Sequence, residues 1–137
     1  MALIPKETEL QEELTAIFED LLTKKESVKK ELVRTRKDFN AACDLHIKSG
    51  FKSDNEWISA NICHQLKFVE YEMYCHMIDI LNDFKDIYGQ FPEYLEMHQT
   101  LNQIMIQLAN EEKYELAAIT KLWVDKIDHT IQEYSYC

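Results

Sequence analysis

The chain has 137 residues, a formal net charge of −10, and 46% hydrophobic and 29% charged residues. This length suits one domain with a buried core, and the composition is that of a globular protein rather than a disordered one. The acidic balance argues against nucleic acid as a partner, because phosphate binding needs a surplus of Lys and Arg. With only two Gly and two Pro residues, the chain has few helix breakers, which indicates an all-α fold of long helices.

Membrane insertion and disulfide bonding are both unexpected from the sequence. The chain has no apolar run of about 18 residues, the length that a membrane-spanning helix needs. The four cysteines, Cys43, Cys63, Cys75 and Cys137, are scattered and form no Cys-x-x-Cys pair. Free thiols are typical of a reducing compartment, so we expect a cytoplasmic protein.

The first predicted helix covers about residues 7–49. Its apolar positions recur in steps of three and four, which is helical periodicity. They are Leu10, Leu14, Ile17, Leu21, Val28, Leu32, Phe39, Ala42 and His46. Gly50 is the natural residue to end this helix, since glycine adopts the left-handed conformation of a helix C-terminus at little cost.

The second predicted helix covers about residues 54–88. Ser53 and Glu56 have the spacing of a capping box at its start, and Gly89 is expected to end it. Its main apolar seam, again in steps of three and four, is Ile58, Ile62, Leu66, Val69, Met73, Met77, Ile80, Phe84 and Ile87. We expect this seam to face the core.

The third predicted helix covers about residues 92–134, with Pro92 in its first turn. Neither Gly nor Pro lies in the polar patch 110–113, which favours one continuous helix. Short loops between long helices force neighbours to run antiparallel. The sequence therefore predicts an elongated antiparallel three-helix bundle, with coiled-coil-like seams, as a single domain over 1–137. The alternative is a four-helix bundle with a break near Asn110.

The second predicted helix carries more apolar surface than one seam needs. Ten of the fourteen residues from Phe68 to Leu81 are apolar, and a helix that is apolar nearly all round is expected to be buried all round. A second stripe lies beside the main seam and consists of Phe68, Tyr71, Cys75 and Ile78. We predict that this stripe binds a protein partner or a second copy of the chain; the alternative is that this helix is simply the most enclosed one.

Basic residues are concentrated in the middle of the first predicted helix. They are Lys24, Lys25, Lys29, Lys30, Arg34, Arg36 and Lys37. Antiparallel pairing about Gly50 would set them beside Glu70, Glu72 and Asp79, so internal charge complementarity is one interpretation. The other is contact with an anionic partner, such as acidic lipid headgroups.

Catalytic and metal-binding signatures are missing from the sequence. A di-iron bundle needs Glu-x-x-His on two helices, and no Glu-x-x-His occurs. The chain also lacks a Gly-rich phosphate loop and a Gly-x-Ser-x-Gly elbow. We therefore expect no enzyme activity, no cofactor and no metal.

Two functions fit these features. The first is a non-enzymatic intracellular scaffold or adaptor that acts through protein–protein contacts as a homodimer. The second rests on a resemblance of architecture alone: three long antiparallel helices that dimerise resemble the BAR-type bundle. That resemblance implies a module of membrane trafficking that binds anionic lipid through residues 24–37. A membrane surface is the less favoured partner.

Overall fold

The computed structural model describes residues 6–135, which form four α-helices and no strand. These are α1 (Lys6–Lys48), α2 (Asp54–Phe84), α3 (Tyr94–Asn110) and α4 (Tyr114–Ser135). The predicted all-α class is confirmed, whereas the three-helix arrangement is wrong and the four-helix alternative with a break near Asn110 fits. Cys137 lies outside the described residues.

The turn after α1 follows the predicted chemistry. Gly50 has φ +68°, and its N–H donates to the Ile47 carbonyl at 3.1 Å while the Phe51 N–H donates to the His46 carbonyl at 2.8 Å. These two bonds form a Schellman motif, which satisfies carbonyls at the helix end. The rings of His46 and Phe51 pack edge to face, 5.2 Å between centroids. Gly50 thus ends the helix as predicted.

The break between α3 and α4 uses the same motif without a glycine. Glu112 has φ +62°, and its N–H donates to Ala109 at 3.0 Å while Lys113 N–H donates to Leu108 at 2.8 Å. A glutamate in the left-handed region is uncommon because its Cβ crowds the backbone. The continuous helix over 92–134 was therefore wrong for a physical reason: neither glycine nor proline marks this break.

The loop 85–93 is longer than predicted, because α2 ends at Phe84 rather than near residue 88. The Asp86 carboxylate accepts hydrogen bonds from the N–H groups of Tyr88 and Gln90, both at 2.9 Å. Such a side-chain turn competes with helical hydrogen bonds. Gly89 has φ +78° and lies inside this loop, and Pro92 precedes α3 instead of starting it.

The chain divides into two compact units. One, here called the hairpin unit, is Thr23–Cys75, and the other, here called the acidic unit, contains the residues up to Leu22 and those from His76 onward. The acidic unit has five Lys and Arg against seventeen Asp and Glu, a net charge of −12, whereas the hairpin unit has ten against eight, a net charge of +2. The expectation of one domain remains a prediction.

The acidic unit has a closed apolar core. Its most deeply buried side chains, each at most 1% exposed, are Leu10, Leu14, Leu21, Met77, Leu81, Phe91, Met97, Leu101, Thr120 and Ile127. Gln11 is buried among them and fixes the loop, since its Nε2 donates to the Phe91 carbonyl at 3.0 Å and its Oε1 accepts from the Phe91 N–H at 2.6 Å. The first four periodic positions of the first helix, Leu10, Leu14, Ile17 and Leu21, thus lie buried inside this unit, and the later five belong to the hairpin unit.

Candidate interaction surface

The hairpin unit pairs part of α1 with part of α2 in antiparallel fashion. Along α1, Glu31 contacts Lys67 of α2, Thr35 contacts His64 at 3.0 Å between Oγ1 and Nδ1, and Cys43 accepts from the Trp57 indole at 3.2 Å. The numbers rise along α1 as they fall along α2, which is what an antiparallel pair requires. The pairing about Gly50 agrees with the predicted direction.

Stacked rings reinforce this pairing from the side of α1. The rings of Phe39 and His64 lie nearly parallel, 6.0 Å between centroids, and those of His46 and Trp57 do the same at 5.0 Å. His46 is buried and its Nε2 lies 3.4 Å from a carboxylate oxygen of Asp54. The hairpin thus contains polar and ring contacts between its two helices, and the apolar side chains Val28 and Met73 are also buried in this unit.

One ion pair joins the two helices of the hairpin. Its acidic residue lies on α1 and its basic residue on α2, which is the reverse of what the charge distribution suggests. Lys67 Nζ lies 2.6 Å from Glu31, within the predicted basic stretch, and 2.9 Å from Glu70. Hydrogen bonding and attraction from Lys67 lower the pKa of Glu31, and hydrogen bonding to Glu31 raises the pKa of Lys67. The basic residues of α1 do not supply the partner of Glu70; that partner is Lys67 of the same helix.

The first four residues of the predicted core seam of α2 lie on the outside of the hairpin, whereas Met73 and Met77 of the same seam are buried as predicted. Ile58 is 47% exposed, Ile62 53%, Leu66 55% and Val69 38%. At about 100° per residue, these four side chains share one side of the helix, opposite the side that carries Trp57 and its neighbours toward α1. We call these four residues the α2 outer face. A contiguous exposed apolar face on a helix marks an interaction surface far more often than scattered apolar residues do.

Three of the four residues of the α2 outer face lie in an uncharged segment. No Asp, Glu, Lys or Arg occurs from Trp57 to Leu66, in a chain where 29% of residues are charged. The side chains between the apolar ones are Ser, Ala, Asn, Cys, His and Gln. Depletion of charge at a surface is the compositional mark of an interface core, so the composition supports the same assignment as the exposure.

The predicted second stripe occupies several environments. Phe68 is 43% exposed, Tyr71 and Cys75 are half-buried, and Ile78 is buried in the acidic unit at 7% exposure. Hydrogen bonding with the Cys75 thiol raises the pKa of Tyr71. The structure therefore leaves Phe68 as the large exposed member of the stripe, at the edge of the hairpin, and does not bring all four residues to one surface.

The predicted anionic-partner residues lie on the surface of α1. Lys24, Lys29, Lys30, Arg34, Arg36 and Lys37 are exposed and Lys25 is half-buried. Among the described side chains of the hairpin unit, Lys67 pairs with Glu31 and Glu70, and His46 pairs with Asp54. Six of the seven basic side chains are thus exposed on α1, and the positive charges of Arg34 and Lys24 contribute to lowering the pKa of Glu31.

Two further properties concern the described residues only. Among residues 6–135, no group of three or more His, Cys, Asp and Glu side chains is arranged to hold a metal ion. Over the same range, no helix combines the length and the apolar content that crossing a bilayer requires.

Comparison with protein-family models, with curated proteins and with solved structures finds no match to this chain.

Sequence reasoning identified the residues of the α2 outer face but placed them inside. Periodicity shows that Ile58, Ile62, Leu66 and Val69 share a side of a helix; it does not show which side the neighbouring helix covers. The available signal was the polar and aromatic character of Trp57 and His64, whose counterparts on α1 include Cys43 and Thr35. Matching those residues across the Gly50 turn would have identified the inner side.

Proposed function

We propose that this protein is a non-enzymatic cytoplasmic scaffold or adaptor that acts through protein–protein contacts as a homodimer. The observation that carries the proposal is the α2 outer face: four aliphatic side chains of one helix, 38–55% exposed, three of them in the uncharged segment 57–66. Burying aliphatic surface contributes about 25 cal/mol per Å². A face of this kind gains most when another protein surface covers it.

The test is comparative affinity capture from cell extract followed by quantitative mass spectrometry. Wild type is compared with Leu66→Asp, which places a charge at the centre of the α2 outer face. The matched control is Leu122→Asp on α4, because Leu122 has 53% exposure against 55% for Leu66. We expect Leu66→Asp to lose specific partners or the second copy, and Leu122→Asp to keep them. Identical recovery with both variants would contradict a role for this face.

A membrane-associated module resembling the BAR type is the second candidate. The exposed basic side chains of α1 and the net charge of +2 on the hairpin unit, within a chain of −10, favour it. Clustered Lys and Arg side chains are attracted to anionic lipid, each by about 1 kcal/mol near the surface. On this account residues 24–37 bind headgroups.

Vesicle sedimentation separates this candidate from the first. Vesicles containing phosphatidylserine are compared with neutral vesicles at low salt, using wild type and the double variant Lys29→Glu/Lys30→Glu. The double variant Lys121→Glu/Lys126→Glu on α4 is the control, since it changes the net charge equally. Binding that needs anionic lipid and is lost only in the α1 variant would support the membrane module. Absence of binding by wild type would remove it.

A further inference from the structure

We propose that the acidic unit binds an amphipathic helix of another protein, basic on its polar side, in the groove between α3 and α4. This is a second binding site beyond that of the proposed function. The helices α3 and α4 belong to the acidic unit, whereas the α2 outer face belongs to the hairpin unit.

The groove lies at the end where the turn 111–113 joins α3 to α4. It is an open cleft of about 390 Å³, to which α3 contributes Met105, Ile106 and Ala109 and α4 contributes Tyr114 and Ala118. Ile106 is 49% exposed and Tyr114 65%, so two of its largest side chains are open to solvent. A contiguous apolar cleft marks an interaction site more often than scattered apolar residues do.

The shape of the groove fits a helix. A three-residue turn joins α3 to α4, so the two run antiparallel, and a third helix packs between such neighbours about 8–10 Å from each axis. The lining segment 114–121 of α4 is about 10 Å long, at about 1.5 Å per residue. Two helical turns have this length. The groove therefore takes two apolar side chains four residues apart on the partner, a spacing that helices use when they bind in grooves.

The lysines beside the groove are already paired within the chain. Lys121 lines the groove, and its Nζ lies 2.8 Å from a carboxylate oxygen of Asp125. The Nζ of Lys113, in the turn, lies 3.3 Å from a carboxylate oxygen of Glu111. Each pair has no net charge, so neither lysine offers an acidic partner a free positive charge.

The charges that remain beside the groove are negative. Glu115 precedes Ala118 by three residues, so the two side chains are neighbours on the surface of α4, and Glu112 lies in the turn. Both glutamates are exposed, and no ion pair joins either of them to another side chain among residues 6–135. The whole acidic unit has a net charge of −12. Charge complementarity therefore favours a partner with Lys or Arg beside its apolar residues.

Fluorescence anisotropy with the full chain and two designed peptides tests the groove and its charge. The lysine peptide is a labelled amphipathic helix of about 14 residues, roughly four turns, with leucine on one side and lysine on the other. The glutamate peptide has glutamate in place of every lysine. We expect the lysine peptide to bind wild type with a dissociation constant below about 200 µM, and the glutamate peptide to bind at least about 10-fold more weakly. Binding of neither peptide, or equal binding of both, would overturn the proposal.

A groove variant separates a docked helix from general attraction between a basic peptide and an acidic protein. Ala118→Gln puts a longer, uncharged side chain into the groove at an exposed position, and should weaken binding of the lysine peptide at least about 10-fold. Ala41→Gln is the matched control, because Ala41 is also exposed on a helix but lies in the hairpin unit. It should bind like wild type. Circular dichroism verifies that both variants keep their helices. Equal binding by the two variants would show that the groove is not the site.

Matched double variants test the contribution of the two unpaired glutamates. Glu112→Gln/Glu115→Gln should weaken binding of the lysine peptide about 5-fold at low salt, because exposed charges each contribute modestly and are screened by salt. Glu12→Gln/Glu13→Gln changes the net charge equally at exposed positions of α1 in the same unit, and should have a smaller effect. Equal effects would mean that overall charge attracts the peptide, which would contradict a site at the groove.

A lysine peptide with proline at its centre tests the helical form of the partner. Proline prevents a continuous helix, so this peptide should bind at least about 10-fold more weakly. Unchanged binding would show that the groove takes an extended chain and would contradict a helix. Leu66→Asp, which tests the proposed function, should bind the original lysine peptide like wild type, so each proposal can fail without the other.

Discussion

The acidic unit and the hairpin unit treat similar apolar side chains in opposite ways. In the acidic unit Leu10, Leu101 and Ile127 are at most 1% exposed, and the net charge is −12. In the hairpin unit Ile62 and Leu66 are more than half exposed, and the net charge is +2. The acidic unit encloses an apolar core, although Leu95 and Leu122 remain exposed on its surface, whereas the two-helix hairpin leaves the outer side of α2 uncovered.

The interior of the hairpin explains this difference. Its helices meet in part through Glu31 with Lys67, Thr35 with His64, and stacked rings, and the four aliphatic residues of the α2 outer face are exposed. A hydrogen-bonded or ionic contact adds little net stability, because water makes equivalent bonds in the unfolded chain. We therefore expect the acidic unit to be the more stable of the two in dilute protein.

The largest effect should follow from opening a cavity in the acidic unit. Ile127 is 0% exposed, and Ile127→Ala should lower the free energy of unfolding by about 2–5 kcal/mol. In dilute, monomeric protein Leu66→Ala should change it by less than about 0.5 kcal/mol, as expected of a surface position. Denaturant unfolding measures both. A loss of several kcal/mol for Leu66→Ala would show that the α2 outer face is buried within one chain.

The next effect concerns the loop that Gln11 holds. Gln11→Leu removes the donor and the acceptor that serve the backbone of Phe91, leaving two buried polar groups without those partners. We expect a loss of about 1–3 kcal/mol in the free energy of unfolding. Gln132→Leu, at an exposed position of α4, is the control and should be nearly neutral. Equal stability of Gln11→Leu and wild type would mean that this loop does not contribute to the core.

The two Schellman motifs offer opposite substitutions, one in each unit. Gly50→Ala should lower the free energy of unfolding by about 1 kcal/mol, because alanine is strained at positive φ. A Cβ added at Gly50 would meet no atom within 4 Å, so the cost comes from the backbone conformation and not from a steric clash. Glu112→Gly should raise the same free energy by about 0.5–1 kcal/mol, because it relieves that strain. Thermal melts would check both, and a destabilised Glu112→Gly would refute the explanation of the break.

The smallest effect should come from the ion pair of the hairpin. Glu31→Gln should cost no more than about 1 kcal/mol, because the carboxylate is 46% exposed and screened by solvent. The pKa of Glu31 is lowered in the folded state, so its contribution is present above its unfolded pKa and is lost as pH falls through the folded pKa. The difference between variant and wild type should thus vanish in acid. A difference that persists below both pKa values would point to packing instead.

The sequence predicted most accurately those features that depend on a single residue's conformation. Gly50 ends α1 because its missing Cβ permits positive φ, and that is visible in the sequence. Glu112 adopts the same conformation without such a marker, so the break between α3 and α4 was predicted only as the alternative. The early end of α2 depends on the Asp86 side chain binding two N–H groups of its own loop, which periodicity does not register.

The candidate surface could be predicted only in part. The surplus of apolar residues that the sequence places from Phe68 to Leu81 is largely buried in the structure, whereas the exposed apolar face of α2 lies mostly before it, from Ile58 to Val69. The stripe of Phe68, Tyr71, Cys75 and Ile78 was chosen as the extra surface because the seam of Ile58 and Ile62 looked like core. Which of two apolar sides faces inward depends on the partner helix, and in the hairpin the inward side is in part polar and aromatic.

Hydroxyl-radical footprinting of the purified wild-type protein tests the central claim most directly, using two leucines as internal probes. Leu66 and Leu122 are 55% and 53% exposed in a single chain, so their side chains should be oxidised at similar rates if both face solvent. If a second copy covers the α2 outer face, Leu66 should be oxidised several-fold more slowly than Leu122 at high protein concentration, and the difference should shrink on dilution. Equal oxidation of the two leucines at every concentration would contradict the account.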